Sequence, residues 1–224
     1  LGRLPTATPG HLENVIQNEW GQELIGSWNK GWFEKPQTLG ARIAALIGAR
    51  PDEVLVCDTT CINLFKLTVA AMRAKSDRRQ IISDELNFPS DLYVFQGVID
   101  LLGKGHTLDL IPSADSIHIT DQAVEEAISE ETAVCALTHV AFKSAFMYDM
   151  AWVTRLAHEA GALMLWDLSH SIGAVPLDLA RSEVDLAVGC TYKYLNGGPG
   201  SPAFLYVRKE LQEALNPPIW GWFG

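Results

Sequence analysis

Short apolar segments alternate with helix-length segments along most of this chain, and this alternation limits the folds it can adopt. The apolar segments lie at 53–57, 80–83, 108–111, 133–138, 162–167, 186–190 and 203–207. Between them, stretches such as 61–74 place apolar residues at helical spacing. This order predicts an α/β fold with a mostly parallel central sheet and helices on both faces. Ligands of such sheets bind outside the carboxyl ends of the strands.

Capping residues indicate where several helices begin. Ser90 is the predicted N-cap of a helix that ends near Leu102, and Thr120 caps a helix that ends near Ile128. Asp149 opens a helix that ends before Gly161. These helices separate the predicted strands, as a parallel sheet requires.

Composition excludes several classes of function. The chain has 224 residues and a net charge of −10, which argues against a nucleic-acid partner. Its longest apolar run is too short for a membrane span, and its first ten residues lack a signal-peptide pattern, so we expect a cytoplasmic protein. The six histidines form no HxxxH pair, and we expect no metal site. Reduced, mostly buried thiols are expected for the four cysteines, Cys57, Cys61, Cys135 and Cys190.

Three residues between 166 and 200 have the chemistry to hold one cofactor. Asp167 ends an apolar segment, His170 follows it, and Lys193 lies in a polar turn after the next apolar segment. A lysine can bond the aldehyde of pyridoxal phosphate (PLP), and an aspartate can keep the ring nitrogen of PLP protonated. Adjacent parallel strands would bring Asp167 and Lys193 to one edge of the sheet. His170 could contact the cofactor or hold Asp167.

The segment 58–61, DTTC, is a candidate phosphate site. It lies between a predicted strand and a predicted helix, where free N–H groups and the positive helix end attract anions. The alternative is that its threonines are only N-caps. The prediction of Lys193 at the same edge favours the phosphate site, with Thr60 following the strand.

Other residues at predicted strand ends have two interpretations each. Phe88 could stack on the PLP ring or pack in the core, and Asp91 could polarise the cofactor or serve its helix N-terminus. Tyr192 could donate its hydroxyl to the phosphate or act as an acid–base group beside Lys193. Thr138 also follows a strand. The glycine-rich run 196–200 is by itself a weak phosphate-loop signal.

Six motifs together resemble kynureninases, fold-type I PLP hydrolases that cleave L-kynurenine to anthranilate and L-alanine. The motifs are DTTCINLFK (58–66), NFPSDLY (87–93), LTHV (137–140), WDLSHSIGA (166–174), TYKYLNGGPGSPAFLYV (191–207) and IWGWFG (219–224). The resemblance implies the large domain of a fold-type I enzyme, a homodimer with sites near the subunit interface, and an amino-acid substrate. Kynurenine, its 3-hydroxy form or an analogue stay open as substrates, as do tryptophan catabolism and NAD biosynthesis as roles.

The resemblance also assigns site residues. Lys193 is implied as the lysine that bonds PLP, Asp167 as the partner of the ring nitrogen, and Tyr192 as the candidate for proton delivery. Trp28 is implied in the substrate pocket. The implied cofactor contacts are Thr60, Cys61, Phe88, Pro89, Ser90, Asp91, Thr138, Asp167, His170, Tyr192, Lys193 and Trp222.

The chain departs from the family pattern at several positions. Cys61 stands where the family more often has Ser or Thr, so a hydroxyl contact to phosphate is lost while the backbone N–H stays. Ala141, Ala145 and Tyr148 replace residues that bear on the choice of substrate. The family's C-terminal small domain, which carries an arginine for the substrate carboxylate, is expected to be missing. We therefore expect an N-terminal segment, 1–50, and an incomplete PLP-binding large domain, 51–224.

Two other functions stay open. A desulfurase or aminotransferase would share the sheet, the aspartate and the lysine, but desulfurases usually carry histidine before the lysine and over the ring, where this chain has Tyr192 and Phe88. A catalytically silent protein could also keep the fold. The presence of both Lys193 and Asp167 argues against that alternative.

Overall fold

The centre of the molecule is a seven-stranded sheet. The computed structural model describes residues 2–103 and 105–222, so Phe223 and Gly224, the end of the predicted IWGWFG motif, lie outside the described part. The strands are β1 (Val54–Val56), β2 (Gln80–Asp84), β3 (Thr107–Ile111), β4 (Thr132–Thr138), β5 (Leu163–Asp167), β6 (Leu186–Gly189) and β7 (Phe204–Val207). Each predicted strand is present, with ends that differ by one residue or less.

The strands lie in the order β1-β7-β6-β5-β4-β2-β3. Neighbours from β6 to β3 are parallel, and β7 is antiparallel to both β6 and β1. The prediction of a mostly parallel sheet is therefore confirmed. Because β1 is antiparallel to β7, it points the same way as β6, and its carboxyl end reaches the edge where β4, β5 and β6 also end.

Helices occupy the four connections from β1 to β5 and much of the N-terminal region. The α-helices are α1 (Thr8–Asn14), α2 (Lys35–Ile47), α3 (Thr60–Ala74), α4 (Pro89–Leu102), α5 (Asp121–Ala127) and α6 (Met150–Glu159). A π-helix spans Val15–Trp20, and short 3-10 helices span Leu24–Lys30, Pro51–Glu53 and Lys209–Leu211. No helix in the described residues is both long and apolar enough to cross a membrane.

Apolar side chains cover both faces of the sheet. On one face, Ile43 of α2 and Val153 of α6 belong to the same buried cluster as Leu137 of β4. On the other, Leu64 of α3 and Phe95 of α4 share a cluster with Ala136 of β4 and its neighbours. Successive residues of β4 thus face opposite layers of helices, which is why the strand is apolar throughout.

The start of α4 differs from the prediction. Phe88, not Ser90, is the N-cap residue, and it makes no side-chain capping hydrogen bond. Pro89 takes the first helical position because its ring fixes φ near the helical value and it has no N–H to leave unpaired. Ser90 therefore lies inside the first turn. The predicted caps Thr120 and Asp149 are confirmed, since each side chain accepts a backbone N–H three residues on.

The prediction that the cysteines are mostly buried is only half right. All four are free thiols; Cys135 and Cys190 are buried, Cys57 is half-buried and Cys61 is exposed. Helical periodicity explains Cys61, because α3 turns Asn63, Leu64 and Leu67 toward the interior and leaves Cys61 on the outer side.

At the amino ends of the strands, a buried carboxylate joins three elements. Asp185, just before β6, is fully buried and lies 2.7 Å from His158 Nε2 of α6. Its other oxygen lies 2.8 Å from Arg208 Nη2, and it also accepts the Met164 N–H of β5. This edge is opposite to the one where the predicted site residues lie.

Asp185→Ala is expected to destabilise the protein by about 3–5 kcal/mol, because a guanidinium and an imidazole would lose their buried partner. Equilibrium unfolding in urea measures the effect. Glu159→Ala is the control, since Glu159 pairs with Arg155 only at the surface of α6. A loss no larger than that of the control would show that the Asp185 network does not stabilise the fold.

Candidate active site

The buried floor of the candidate site is formed by the ends of β4 and β5. Thr138 and Asp167 are the last residues of these strands and are paired in register. Only 4% of Asp167 is exposed. Its Oδ1 accepts the Ser169 N–H at 2.8 Å, and its backbone carbonyl accepts the His139 N–H at 3.0 Å. The Asp167 carboxylate is therefore held in place by the turn that follows β5.

A second carboxyl group, Asp91, faces Asp167 from the first turn of α4. Asp91 is 2% exposed, and its Oδ2 has no hydrogen-bond partner in the described structure. Burial, and then the neighbouring Asp167 carboxylate, raise the pKa of Asp91 well above its usual range. A proton on Asp91 relieves the repulsion between the two groups, and a cation or a hydrogen-bond donor beside the pair would relieve it in the same way.

Lys193 and His170 meet beside this acidic pair. Lys193 Nζ lies 2.9 Å from His170 Nε2 and donates to it. Burial, and then the Lys193 charge, lower the pKa of His170. The other ring nitrogen, His170 Nδ1, is buried without a partner in the described structure. The hydrogen bond of His170 to Lys193 was not predicted, and the two predicted roles of His170, contact with the cofactor or holding Asp167, stay predictions.

Two phenylalanines border the lysine. The ring centroid of Phe88 lies 5.7 Å from Lys193 Nζ. Phe142, in the loop after β4, meets Phe88 edge to face at 5.0 Å and lies 6.4 Å from the His170 ring. Phe88 is 39% exposed and does not pack in the core. Phe142 was missed in the sequence, although its place in a loop after a strand end is a usable signal.

The loop before α3 has a fixed shape. Asp58 has a positive φ of 50°, and its carboxylate lies 2.6 Å from Lys66 Nζ. Thr59 is the N-cap, since its hydroxyl accepts the Ile62 N–H, so the N-cap alternative applies to Thr59. Thr60 and Cys61 are the first two helical residues, whose N–H groups have no partner within a helix. These groups can bind an anion.

Tyr192 lies next to the lysine in sequence and in space. Its ring centroid is 5.7 Å from Lys193 Nζ, and 37% of its surface is exposed. Burial, and then the nearby Cys190, raise the pKa of Tyr192. The hydroxyl therefore stays protonated at neutral pH and can donate a hydrogen bond.

The remaining predicted residues lie in two places. Pro89 and Ser90 open α4, and the Ser90 hydroxyl lies 3.4 Å from Asp91 Oδ1. Trp28 and Trp222 stack on each other with centroids 5.6 Å apart, and Phe33 packs against Trp28. The two tryptophans thus share one aromatic cluster.

A buried pair below the site escaped the sequence interpretation. Tyr148 donates its hydroxyl to Asp84 Oδ2 at 3.1 Å, and the Leu86 N–H donates to Asp84 Oδ1 at 2.7 Å. Asp84 ends β2 at the same edge as Thr138 and Asp167, which was the available signal. Burial raises the pKa of Asp84 to about 6 despite these two donors.

Asp84 is expected to make stability depend on pH. Between about pH 4 and pH 6 the folded protein keeps a proton that the unfolded chain, with a pKa of 3.8, has released. Stability therefore falls as pH rises through this window, by about 3 kcal/mol in all. The free energy of unfolding of the natural protein minus that of Asp84→Asn should decrease from pH 4 to pH 7. A difference that is flat or rises with pH would contradict the assignment.

Comparisons with known proteins place this arrangement in context. A family model described as aminotransferase class-V matches residues 32–222. The kynureninase of Pseudomonas fluorescens is 48% identical over the whole of this chain, which covers 53% of that protein. The chain spans about half the length of the curated relatives it matches.

Solved structures share the fold. A NifS-like protein matches with a TM-score of 0.82 and 18% identity over 98% of this chain and 60% of its own. A variant of the protein C-DES, with glycine covalently linked to its PLP cofactor, matches with a TM-score of 0.81 and 19% identity over 98% of this chain and 57% of its own. At these identities the likeness concerns the fold.

Proposed function

This chain belongs to the aminotransferase class-V family, and from that membership we propose that it forms the cofactor-binding part of a PLP-dependent kynureninase. The reaction is hydrolysis of a carbon–carbon bond in L-kynurenine, or its 3-hydroxy form, to the corresponding anthranilate and L-alanine. The similarity to kynureninases along the whole chain supports this substrate class.

The observation that carries the proposal is the meeting of one lysine, one histidine and two buried carboxyls at the carboxyl ends of the strands. Two atoms there, Asp91 Oδ2 and His170 Nδ1, are buried without partners in the described structure. Buried polar atoms are normally paired, so the site fits a ligand with polar groups. A protonated ring nitrogen beside the Asp91–Asp167 pair is such a group, and PLP carries one.

We assign the roles at the ring as follows. PLP, when bound, supplies an electron sink through its protonated ring. Asp167 holds the ring proton, and Asp91 supports it from α4. Lys193 would hold the cofactor aldehyde and, when its Nζ is free, would move the α-proton of the substrate, while His170 would keep the Lys193 Nζ in place. Tyr192 delivers the proton that the leaving group needs.

The remaining cofactor contacts follow the edge of the sheet. Thr60 and Cys61 bind the phosphate through the N-terminus of α3, as its position after β1 supports. Phe88 covers the ring, and Thr138 lies beside Asp167. The other proposed contacts are Pro89, Ser90 and Trp222.

We also propose the context of the site. Trp28 lines the substrate pocket. Residues 1–50 lead into a large domain, 51–224, that works in a cytoplasmic homodimer in tryptophan catabolism or NAD biosynthesis. An effect of Ala141, Ala145 and Tyr148 on the choice of substrate is part of the same proposal.

A turnover assay tests the proposed function. The protein that contains this chain is incubated with kynurenine, with cysteine and with alanine, and anthranilate is followed by its fluorescence. We expect anthranilate from kynurenine and no sulfide from cysteine. Sulfide release without anthranilate would favour a desulfurase, and absence of a PLP absorbance band in the purified protein would favour a catalytically silent fold.

A further inference from the structure

Gly2, in the N-terminal segment, contacts the turn that carries Lys193. The Gly2 N–H donates to the Tyr192 carbonyl at 3.0 Å. A Cβ on Gly2 would lie 1.9 Å from Asn196 Oδ1 and 2.4 Å from the Lys193 carbonyl oxygen. Residues 3–7 are all exposed, so Gly2 is the point where this segment meets the turn.

A second glycine touches the same turn from the opposite loop. Gly173, three residues after His170, has a φ of +77°, and a Cβ there would lie 3.2 Å from both Cβ and the carbonyl oxygen of Tyr194. The loop that holds His170 and the turn that holds Lys193 therefore pack backbone against backbone. Their separation sets the 2.9 Å contact between His170 Nε2 and Lys193 Nζ.

The Lys193 turn has little freedom to yield. The Asn196 N–H donates to the Lys193 carbonyl, and the Gly197 N–H donates to the Thr191 carbonyl at 2.9 Å. The Asn196 side chain could rotate away from a methyl group on Gly2. The Lys193 carbonyl is backbone within this closed turn, so relieving that clash requires either the turn or the N-terminal segment to move.

We infer that Gly2 is a positioning residue for Lys193. Because it has no side chain, its N–H can donate to the Tyr192 carbonyl without displacing the turn. The hydrogen bond between Lys193 Nζ and His170 is then kept. This inference rests on the proposed function for its catalytic meaning. Displacements of about 1 Å in a reacting group are costly, and the expected clash is of that size.

The test compares Gly2→Ala with Gly10→Ala in the full chain, first without cofactor. Gly10 lies in α1 of the same N-terminal region and has no atom within 4 Å of an added Cβ. Burial, and then the Lys193 charge, lower the pKa of His170, so NMR titration of His170 detects a displacement of that charge. In Gly2→Ala we expect the pKa of His170 to rise toward its usual value and PLP to bind several-fold more weakly. Gly10→Ala should change neither quantity.

A third variant separates the two clashes. Gly2→Ala combined with Asn196→Gly removes the side-chain clash, keeps the positive φ at position 196 and leaves the Lys193 carbonyl in the way. We expect it to retain the raised pKa of His170. An unchanged pKa of His170 in Gly2→Ala, or its full recovery in the double variant, would overturn the inference. If the natural protein fails to cleave kynurenine while Gly2→Ala shifts the His170 titration, the proposed function fails and the positioning role stands.

Discussion

Lys193→Ala is expected to abolish covalent attachment of PLP and to reduce kynurenine cleavage to background. In the structure Lys193 Nζ is the amine that lies on His170 and faces Phe88. Two other lysines near this edge are engaged elsewhere: Lys66 pairs with Asp58, and Lys143 lies 5.4 Å from the Phe142 ring centroid. Reduction of the natural protein with borohydride, followed by peptide mapping, identifies the labelled lysine.

Lys143→Ala is the matched control for this experiment. It removes a lysine from the loop after β4 without touching the Lys193–His170 contact, so labelling and turnover should stay near those of the natural protein. Label on Lys66 or Lys143, or turnover that survives in Lys193→Ala, would show that Lys193 is not the lysine that bonds PLP.

Asp167→Asn is expected to leave PLP bound but to lower turnover by several orders of magnitude. A neutral amide cannot hold the ring proton of PLP, so the electron sink loses much of its strength. The variant keeps the shape of the side chain, and its amide oxygen can still accept the Ser169 N–H. Turnover per bound PLP is the quantity to measure.

The same variant has a second readout that does not depend on PLP. The Asp167 charge is the second cause of the raised pKa of Asp91, so this pKa should fall in Asp167→Asn when the cofactor is absent. Asp149→Asn, which changes the same group at the N-cap of α6, is the control for both measurements. Near-normal turnover in Asp167→Asn would mean that another group holds the ring nitrogen.

The strands and the edge where they end were predictable because burial on both faces forces continuous apolar segments. Asp167 and Lys193 could be placed together from topology alone, since both follow neighbouring parallel strands. The hydrogen bond between Lys193 and His170, and the proximity of Asp91 to Asp167, could not be predicted. They depend on the exact start of α4 and on the shape of two turns. Sequence spacing does not specify either.

The N-terminal region was harder to interpret for a different reason. Helix α1 buries none of its residues, so it has no apolar stripe to reveal its period. Helix α2 does pack into the core, and its signals were present: Pro36 in the first turn and Gly48, with a φ of 65°, just after the end. The N-cap residue Glu34 makes no side-chain capping hydrogen bond, so the start of α2 carries no Ser, Thr, Asp or Asn signal in the sequence.

The edge position of β1 has a consequence for how the protein is made. Among the seven described strands β1 is synthesised first, and its partner in the sheet is β7, which is synthesised last. Val54 therefore cannot pair with Tyr206 until the chain between them has been synthesised. Contacts between residues so distant in sequence form slowly. The DTTC loop follows β1 directly, so we expect the anion site to be fixed only after β7 has paired with β1.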